Sequence, residues 1–432
     1  MLLEVRSSDW IQRFGVLTSV SGQLCARLDA SLKELVKIHT ASGNEILCEV
    51  IGFDRDLVHL MPFTSNAEFR AGDKVTATGS RMSVGVGIGM LGRVLNALGE
   101  PIDGGPPVIP QERIELAVET PGPLSRPTID TPFCTGIRAI DGMLTIGRGQ
   151  RMGLFAGSGV GKSTLMGEIT KYADSQINVV VMVGERGREV RPFIEQSLGP
   201  EGLKKSIVFV STSDQPPLAR IRVCELAIAV ANWFRSLGND VLFMLDSLTR
   251  MAYAQRELGL FLGEPPTSRG YTPSVFQKMA ELLEQLGTSE KGSITGLLTV
   301  LVDGDDMNDP VADSARSILD GHIVLSRDLA NAGHFPAIDI LQSASRLFHE
   351  IGHPDHQQNA MKIRAVLSKY KEVEDLIQIG AYKQGASPAT DRAVGIFPHV
   401  QQLLRQGLND PCNYTQTQTD FAALARQIEV AA

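Results

Sequence analysis

The rhythm of hydrophobic and polar positions changes three times along the chain. Between residues 14 and 79, short runs at 34–38, 45–51 and 57–61 alternate apolar with polar side chains, separated by Ser42-Gly43-Asn44 and Ala71-Gly72-Asp73. A period of two places every second side chain on one face, so residues 1–80 are predicted to form a small antiparallel β-barrel or sandwich. Residues 81–134, with a Gly/Pro-rich stretch at 99–107, read as a linker and the entry to a core. From 135 to 348 the pattern becomes continuous apolar runs at 152–156, 178–183, 206–210, 241–245, 296–302 and 338–341, separated by helical stretches such as 222–237 and 275–286. Strands apolar on both faces predict an α/β fold with a parallel sheet covered by helices. Residues 349–432 carry amphipathic helical patterns at 361–379 and 399–406 and predict a small C-terminal helical domain.

At 432 residues, the chain is too long for a single ordinary core, which agrees with that division. Hydrophobic residues at 43% and charged ones at 21% suit a packed protein rather than a disordered one. The formal net charge of -8 argues against binding nucleic acid through bulk positive potential. Cys25, Cys48, Cys134, Cys224 and Cys412 are widely spaced and include no C-x-x-C pair. They suggest buried thiols in a reducing compartment, not a disulfide framework or a zinc knuckle. The opening Met-Leu-Leu-Glu-Val-Arg has an acid where a signal peptide needs an apolar run, and stretches such as 179–183 fall far short of a membrane span. A cytoplasmic location is expected.

The chemistry concentrates where apolar runs end. Ala156-Gly157-Ser158-Gly159-Val160-Gly161-Lys162-Ser163 follows the run at 152–155 and opens a helix expected over 164–173. This is the setting of a phosphate-binding loop, in which glycines let backbone N–H groups converge on an anion at a helix N-terminus. Lys162 is suited to bridge β- and γ-phosphates and Ser163 to ligate Mg²⁺. The strict pattern has Gly at the position of Ala156. Asp246 ends the run 241–245, at the sheet edge where ligands bind in doubly wound folds, and is suited to hold the Mg²⁺ hydration shell. Glu185, in Val183-Gly184-Glu185-Arg186-Gly187-Arg188-Glu189, also ends a run, and its carboxylate can orient water and take its proton; the same residues would equally make a surface Glu–Arg ladder. Arg346, just past the run in 336–346, can stabilise charge on a transferring phosphoryl group, in its own site or a neighbour's.

Two motifs are set aside. His349-Glu350-Ile351-Gly352-His353 matches H-E-x-x-H, yet Gly352 and Pro354 oppose a helix continuing through His353, and His356 nearby reads as a polar surface residue. Gly87-Ile88-Gly89-Met90-Leu91-Gly92 matches G-x-G-x-x-G without a bracketing strand and helix, and reads as a flexible linker.

In order, the phosphate loop, Gly184-Glu185-Arg186-Gly187-Arg188-Glu189-Val190, Asp246-Ser247-Leu248-Thr249-Arg250, Gly263-Glu264-Pro265-Pro266 and the segment 336–346 resemble the catalytic family of F1-type rotary ATPases. Within it the chain is most similar to the ATPases of type III protein export, the flagellar ones above all. Segments 147–163 and 317–327 carry that closeness, the likeness spans nearly the whole chain, and Ala156 is common at its position in export ATPases. The resemblance implies an N-terminal β-barrel, a RecA-like P-loop core and a C-terminal helical domain. It also implies a homohexamer with sites between subunits, and an ATPase using Mg²⁺ with ATP to drive unfolding and export of proteins through a flagellar-type apparatus.

On that likeness Gly157, Ser158, Gly159, Val160, Gly161, Lys162, Ser163 and Thr164 hold the nucleotide and Glu185 activates water. Arg186 and Glu189 belong to the catalytic set, with Glu189 helping around Mg²⁺, and Arg346 reaches the adjacent subunit's site. Phe335 packs on adenine and Tyr382 supplies the other side. The loop 265–274 faces the ring's central hole, where a stalk-like protein would sit. The family also implies export-gate and chaperone–cargo partners and peripheral association at the cytoplasmic face of the inner membrane. A stator-like regulator contacts an extension ahead of the barrel in many members; here little precedes the barrel, which argues against that contact. A virulence injectisome ATPase is the alternative within the family. A RecA-like hexameric nucleic-acid translocase is opposed by the acidic balance and by the lack of aromatic–basic interleaving in the barrel. A non-catalytic subunit is opposed by Glu185.

Overall fold

A computed structural model of the chain describes residues 13–20, 23–117, 120–122, 124–302, 304, 306–385 and 387–430. The segment ahead of the barrel, on which the regulator contact turns, lies outside these residues. Strands β1 (Phe14–Ser19), β2 (Leu24–Arg27), β3 (Glu34–His39), β4 (Glu45–Asp54), β5 (Leu57–Pro62) and β6 (Lys74–Arg81) close an antiparallel barrel in the order β1-β2-β5-β4-β3-β6. Alternation decides its inside: Val36, Ile38, Val50, Leu60 and Val75 fill it. Glu49 of β4, also buried, accepts from Arg222 Nε at 2.8 Å and so ties the barrel to the next domain.

The first part of the stretch read as a linker, residues 82–97, packs into the core. Strand β7 (Ser83–Val86) pairs with β9 (Glu112–Glu115), and between them β8 (Val94–Leu95) joins the central sheet parallel to β14 (residues 206–211). The Gly87–Gly92 stretch holds a single 3-10 turn whose Met90 is fully buried. The Gly/Pro-rich loop after it is pinned where Arg93 grips Asp103 with two 2.8 Å bonds, which hold the Asp103 carboxyl well below the usual carboxylate range.

The core continues with β10 (Pro132–Phe133), α1 (Arg138–Met143), β11 (Ile146–Gly147), β12 (Arg151–Ala156), α2 (Lys162–Tyr172), β13 (Ile177–Val183), α3 (Gly187–Pro192), α4 (Gly199–Lys204) and β14 (Ser206–Ser211). It then runs through α5 (Pro217–Ser236), β15 (Asp240–Asp246), α6 (Leu248–Phe261), α7 (Pro273–Glu284), β16 (Gly287–Thr288), β17 (Ser293–Leu301), α8 (Pro310–Ile318), β18 (Gly321–Leu325), α9 (Arg327–Asn331) and β19 (Ile338–Ser345). The sheet order is β19-β18-β12-β17-β15-β13-β14-β8, with β16 folded against β17. Successive residues of one strand feed opposite cores. Val179, Val181 and Val183 of β13 pack on one face, Val180 and Met182 on the other, and Phe243 and Met244 of β15 divide the same way. Burial on both faces is what the continuous apolar runs encode.

Two strands depart from the all-parallel expectation: short β16 runs antiparallel to β17, and β19 runs antiparallel to β18, with Leu325 opposite Ile338 and Gly321 opposite Ser345. The C-terminal domain comprises α10 (Phe348–Ile351), α11 (Pro354–Gln378), α12 (Pro388–Leu404) and α13 (Tyr414–Val430). Its last helix was not anticipated. The first turn of α13 is Tyr-Thr-Gln-Thr, and its buried stripe is only Thr417, Phe421, Leu424 and Ala425.

H-E-x-x-H is divided between helices. His349 lies on α10, Gly352 ends that helix, and His353 caps α11 by accepting from Asp355 N at 3.3 Å. No cluster of three or more His, Cys, Asp or Glu suited to a metal occurs among the described residues. His356, read as a surface residue, is 3% exposed and packs on Phe348 and Phe421, because the first turn of α11 faces the core. Among the described residues no helix is long and apolar enough to cross a membrane.

Candidate nucleotide site

Strands β12, β13 and β15 run parallel, so their C-terminal ends meet at one edge of the sheet. Beyond β12 the chain passes through Gly157–Gly161 and opens α2 at Lys162. Gly159 and Gly161 have φ of +80° and +89°, a region costly for any residue with a Cβ. No side chain caps the start of α2, so its free N–H groups and the positive end of its dipole remain for an anion.

This loop forms one wall of a 790 Å³ cavity whose charged lining is Lys162, Arg186, Arg188 and Arg250 against Glu185, Glu189 and Asp246. Four cations against three carboxylates, together with the loop, suit a polyanion. Asp246 is 3% exposed, and its Oδ1 accepts from Lys162 Nζ and, at 2.8 Å, from Thr299 Oγ1 on β17. Glu185, 8% exposed, has its Oε1 3.9 Å from the Lys162 ammonium. Burial raises the Glu185 carboxyl above its ordinary pKa and Asp246 pushes the same way, against Lys162 and Arg250. Gly184 makes this turn feasible: its φ is +68°, and a Cβ there would lie 2.8 Å from Cβ of Arg250. Ser163 and Thr164 are exposed on the first turn of α2, and Arg186 and Glu189 face each other at 3.6 Å at the mouth. Two further residues reach these carboxylates without a signal in the sequence. Arg250 stands four positions after Asp246, in the first turn of α6, with a buried Nε that has no hydrogen-bond partner among the described residues. Thr299 is the lone hydroxyl in Leu297–Leu301.

A second cleft of 420 Å³ adjoins the cavity and shares Gly161 and Thr164 with it. Its walls are mainly apolar, with Val160, Leu165 and Leu325 opposite Phe335, Pro336 and Leu408. Phe335 is half-exposed on this wall. Tyr382 does not line the cleft. Its hydroxyl bonds Asp391 near the start of α12, whereas Leu408 follows the end of that 17-residue helix, roughly 25 Å along its axis. The segment bearing Leu408 is strapped to the core: Gln406 N donates to Phe335 O at 3.0 Å, and Asn409 N to Glu168 at 2.7 Å.

Arg346 is not part of this cavity. Because β19 runs backwards, its start lies beside the phosphate-loop end of the sheet and its finish at the opposite end, roughly 20 Å away by strand rise. There the exposed Arg346 donates to Arg316 O at 2.8 Å. The loop between α6 and α7 is exposed around Arg269, which pairs with Asp306 at 3.0 Å, and Glu264 secures its base by accepting from Ser274 N at 2.8 Å.

Residues 136–345 match the nucleotide-binding domain of the ATP synthase alpha/beta family, and residues 353–423 match the type III secretion EscN ATPase C-terminal domain. The chain is 49% identical over 413 residues to the flagellum-specific ATP synthase of Bacillus subtilis, covering 94% of each chain. It is 43% identical over 409 residues to the type 3 secretion system ATPase of Xanthomonas euvesicatoria, covering 94% of this chain and 92% of that one. The assembled ATPase EscN of the enteropathogenic E. coli type III secretion system superposes with a TM-score of 0.90 at 41% identity, over 95% of this chain and 100% of that one. EscN in complex with its central stalk EscO gives 0.88 at 40% identity, with the same coverage.

Proposed function

The chain belongs to the ATP synthase alpha/beta family, among its type III export ATPases, and from that membership we propose that it hydrolyses ATP in a flagellar-type export apparatus to drive proteins out of the cell. The observation that carries the mechanism is Glu185, half-screened by Lys162 and Arg250 and raised in pKa, standing beside the anion cavity.

In this reading the triphosphate lies against the free N–H groups of α2, and Lys162 turns from Asp246 to the β- and γ-phosphates. The base enters the apolar cleft between Phe335 and Leu408. The Ser163 hydroxyl and the buried Asp246 carboxylate are hard oxygen donors beside the loop. That sparse set fits Mg²⁺, which keeps most of its waters and borrows phosphate oxygens. Ser163 and, through water, Asp246 would hold Mg²⁺, whose charge would offset that of the phosphates. Glu185 orients the attacking water and accepts its proton, while Arg186, Arg250 and Glu189 order the groups around the leaving phosphate. Arg346, at the far end of β19, serves a neighbouring copy in a homohexamer. The loop around Arg269 faces a stalk protein in the ring's hole, as EscN has in EscO. Export-gate and chaperone–cargo proteins at the cytoplasmic face of the inner membrane complete the set of partners.

Replacing Glu185 tests this directly. In the purified chain Glu185→Gln should lower kcat by about 10²-fold or more while leaving binding of a fluorescent ATP analogue within about twofold. Turnover that survives in Glu185→Gln would remove the carboxylate from the mechanism.

A further inference from the structure

Strand β17 lies between β12, which carries the phosphate loop, and β15, which ends in Asp246. In its last five residues, Leu-Leu-Thr-Val-Leu, Thr299 is 0% exposed. A hydroxyl among aliphatic side chains is unfavourable unless it is hydrogen bonded. Here Oγ1 lies 2.8 Å from Asp246 Oδ1 and 3.2 Å from the carbonyl oxygen of Leu245. Lys162 Nζ donates to that same Oδ1, and among the described residues no group donates to Oδ2.

We infer that Thr299 is a positioning residue, whose hydroxyl holds Asp246 by Oδ1 so that Oδ2 is presented to the hydrated Mg²⁺ that accompanies ATP. The inference rests on the role given to Asp246 above. Its force comes from what Lys162 must do. Once the ammonium turns to the phosphates, Thr299 is the one remaining protein donor to this carboxylate among the described residues, and without it the carboxylate is free to rotate. Valine has the shape of threonine without the hydroxyl, so the bond can be removed with little change in packing.

The test uses the full chain, N-methylanthraniloyl-ATP as a fluorescent probe, and Mg²⁺ titrated against EDTA. Thr299→Val should raise the Mg²⁺ concentration for half-maximal probe binding about five- to tenfold, leave affinity in EDTA within about twofold, and be rescued by Thr299→Ser. Asp246→Asn should shift the Mg²⁺ midpoint at least as far. A normal midpoint in Thr299→Val beside a shifted one in Asp246→Asn overturns the role of Thr299 and leaves that of Asp246 standing. An unshifted Asp246→Asn removes the role of Asp246, and the inference with it. An equal loss of affinity in EDTA marks the hydroxyl as merely structural and also overturns the inference. If the valine variant does not fold, Thr299→Ala supplies the same comparison.

Discussion

A carboxylate that must accept a proton works only when ionised, so the raised pKa of Glu185 has a direct kinetic consequence. As pH falls, Glu185 gains its proton earlier than an ordinary glutamate, near 4.3, would. The acid limb of the kcat profile should therefore lie above that value. Arg250 favours the ionised form, so Arg250→Ala should move the limb to still higher pH and lower kcat by about 10²-fold. A limb that stays in place in Arg250→Ala would detach the guanidinium from Glu185. At this scale the sequence exposed the loop, Glu185 and Asp246 because each directly follows an apolar run. Arg250 and Thr299 were hidden for opposite reasons. An arginine in a helix is ordinary, and a single threonine in a strand is ordinary; only the fold aims them at a carboxylate.

Elements were legible where burial was symmetrical. Strands such as β13, apolar on both faces, could be read to within a residue or two, whereas α13 was lost because its stripe of four buried residues sits in a polar sequence. Strand direction leaves no trace in periodicity, so neither the reversal of β19 nor the entry of two-residue β8 into the sheet was visible. Such details place the base cleft. Leu408 is fixed there by backbone bonds of the 406–409 strap, not by its own periodicity. Leu408→Ala should raise the KM for ATP about five- to thirtyfold with kcat little changed, as expected for losing the apolar contact that this exposed cleft leucine makes once a base covers it. Tyr382→Ala should leave KM alone, and steady-state kinetics of the two variants separate the two ends of α12.

At the scale of the molecule, the likeness of the whole chain gave barrel, core and helical domain together, but not how the first is joined to the second. One tie is the buried pair Glu49–Arg222, and Ile51, Met61 and Phe63 of the barrel segment add apolar contacts with the core. Arg346→Ala should lower kcat of the assembled enzyme by about 10³-fold. Mixing inactive Arg346→Ala with inactive Lys162→Ala chains should restore measurable turnover, because some interfaces then pair an intact loop with an intact arginine. Mixtures that stay dead would confine Arg346 to a role within its own chain. The backward course of β19 carries this further. On the roles proposed above, Phe335 just ahead of β19 would meet its owner's nucleotide, and Arg346 just past the other tip would meet someone else's. On the same reading a solitary chain would own two half-sites and no whole one. Fuel consumption would then be withheld until copies meet, and freshly made protein would be thrifty by construction.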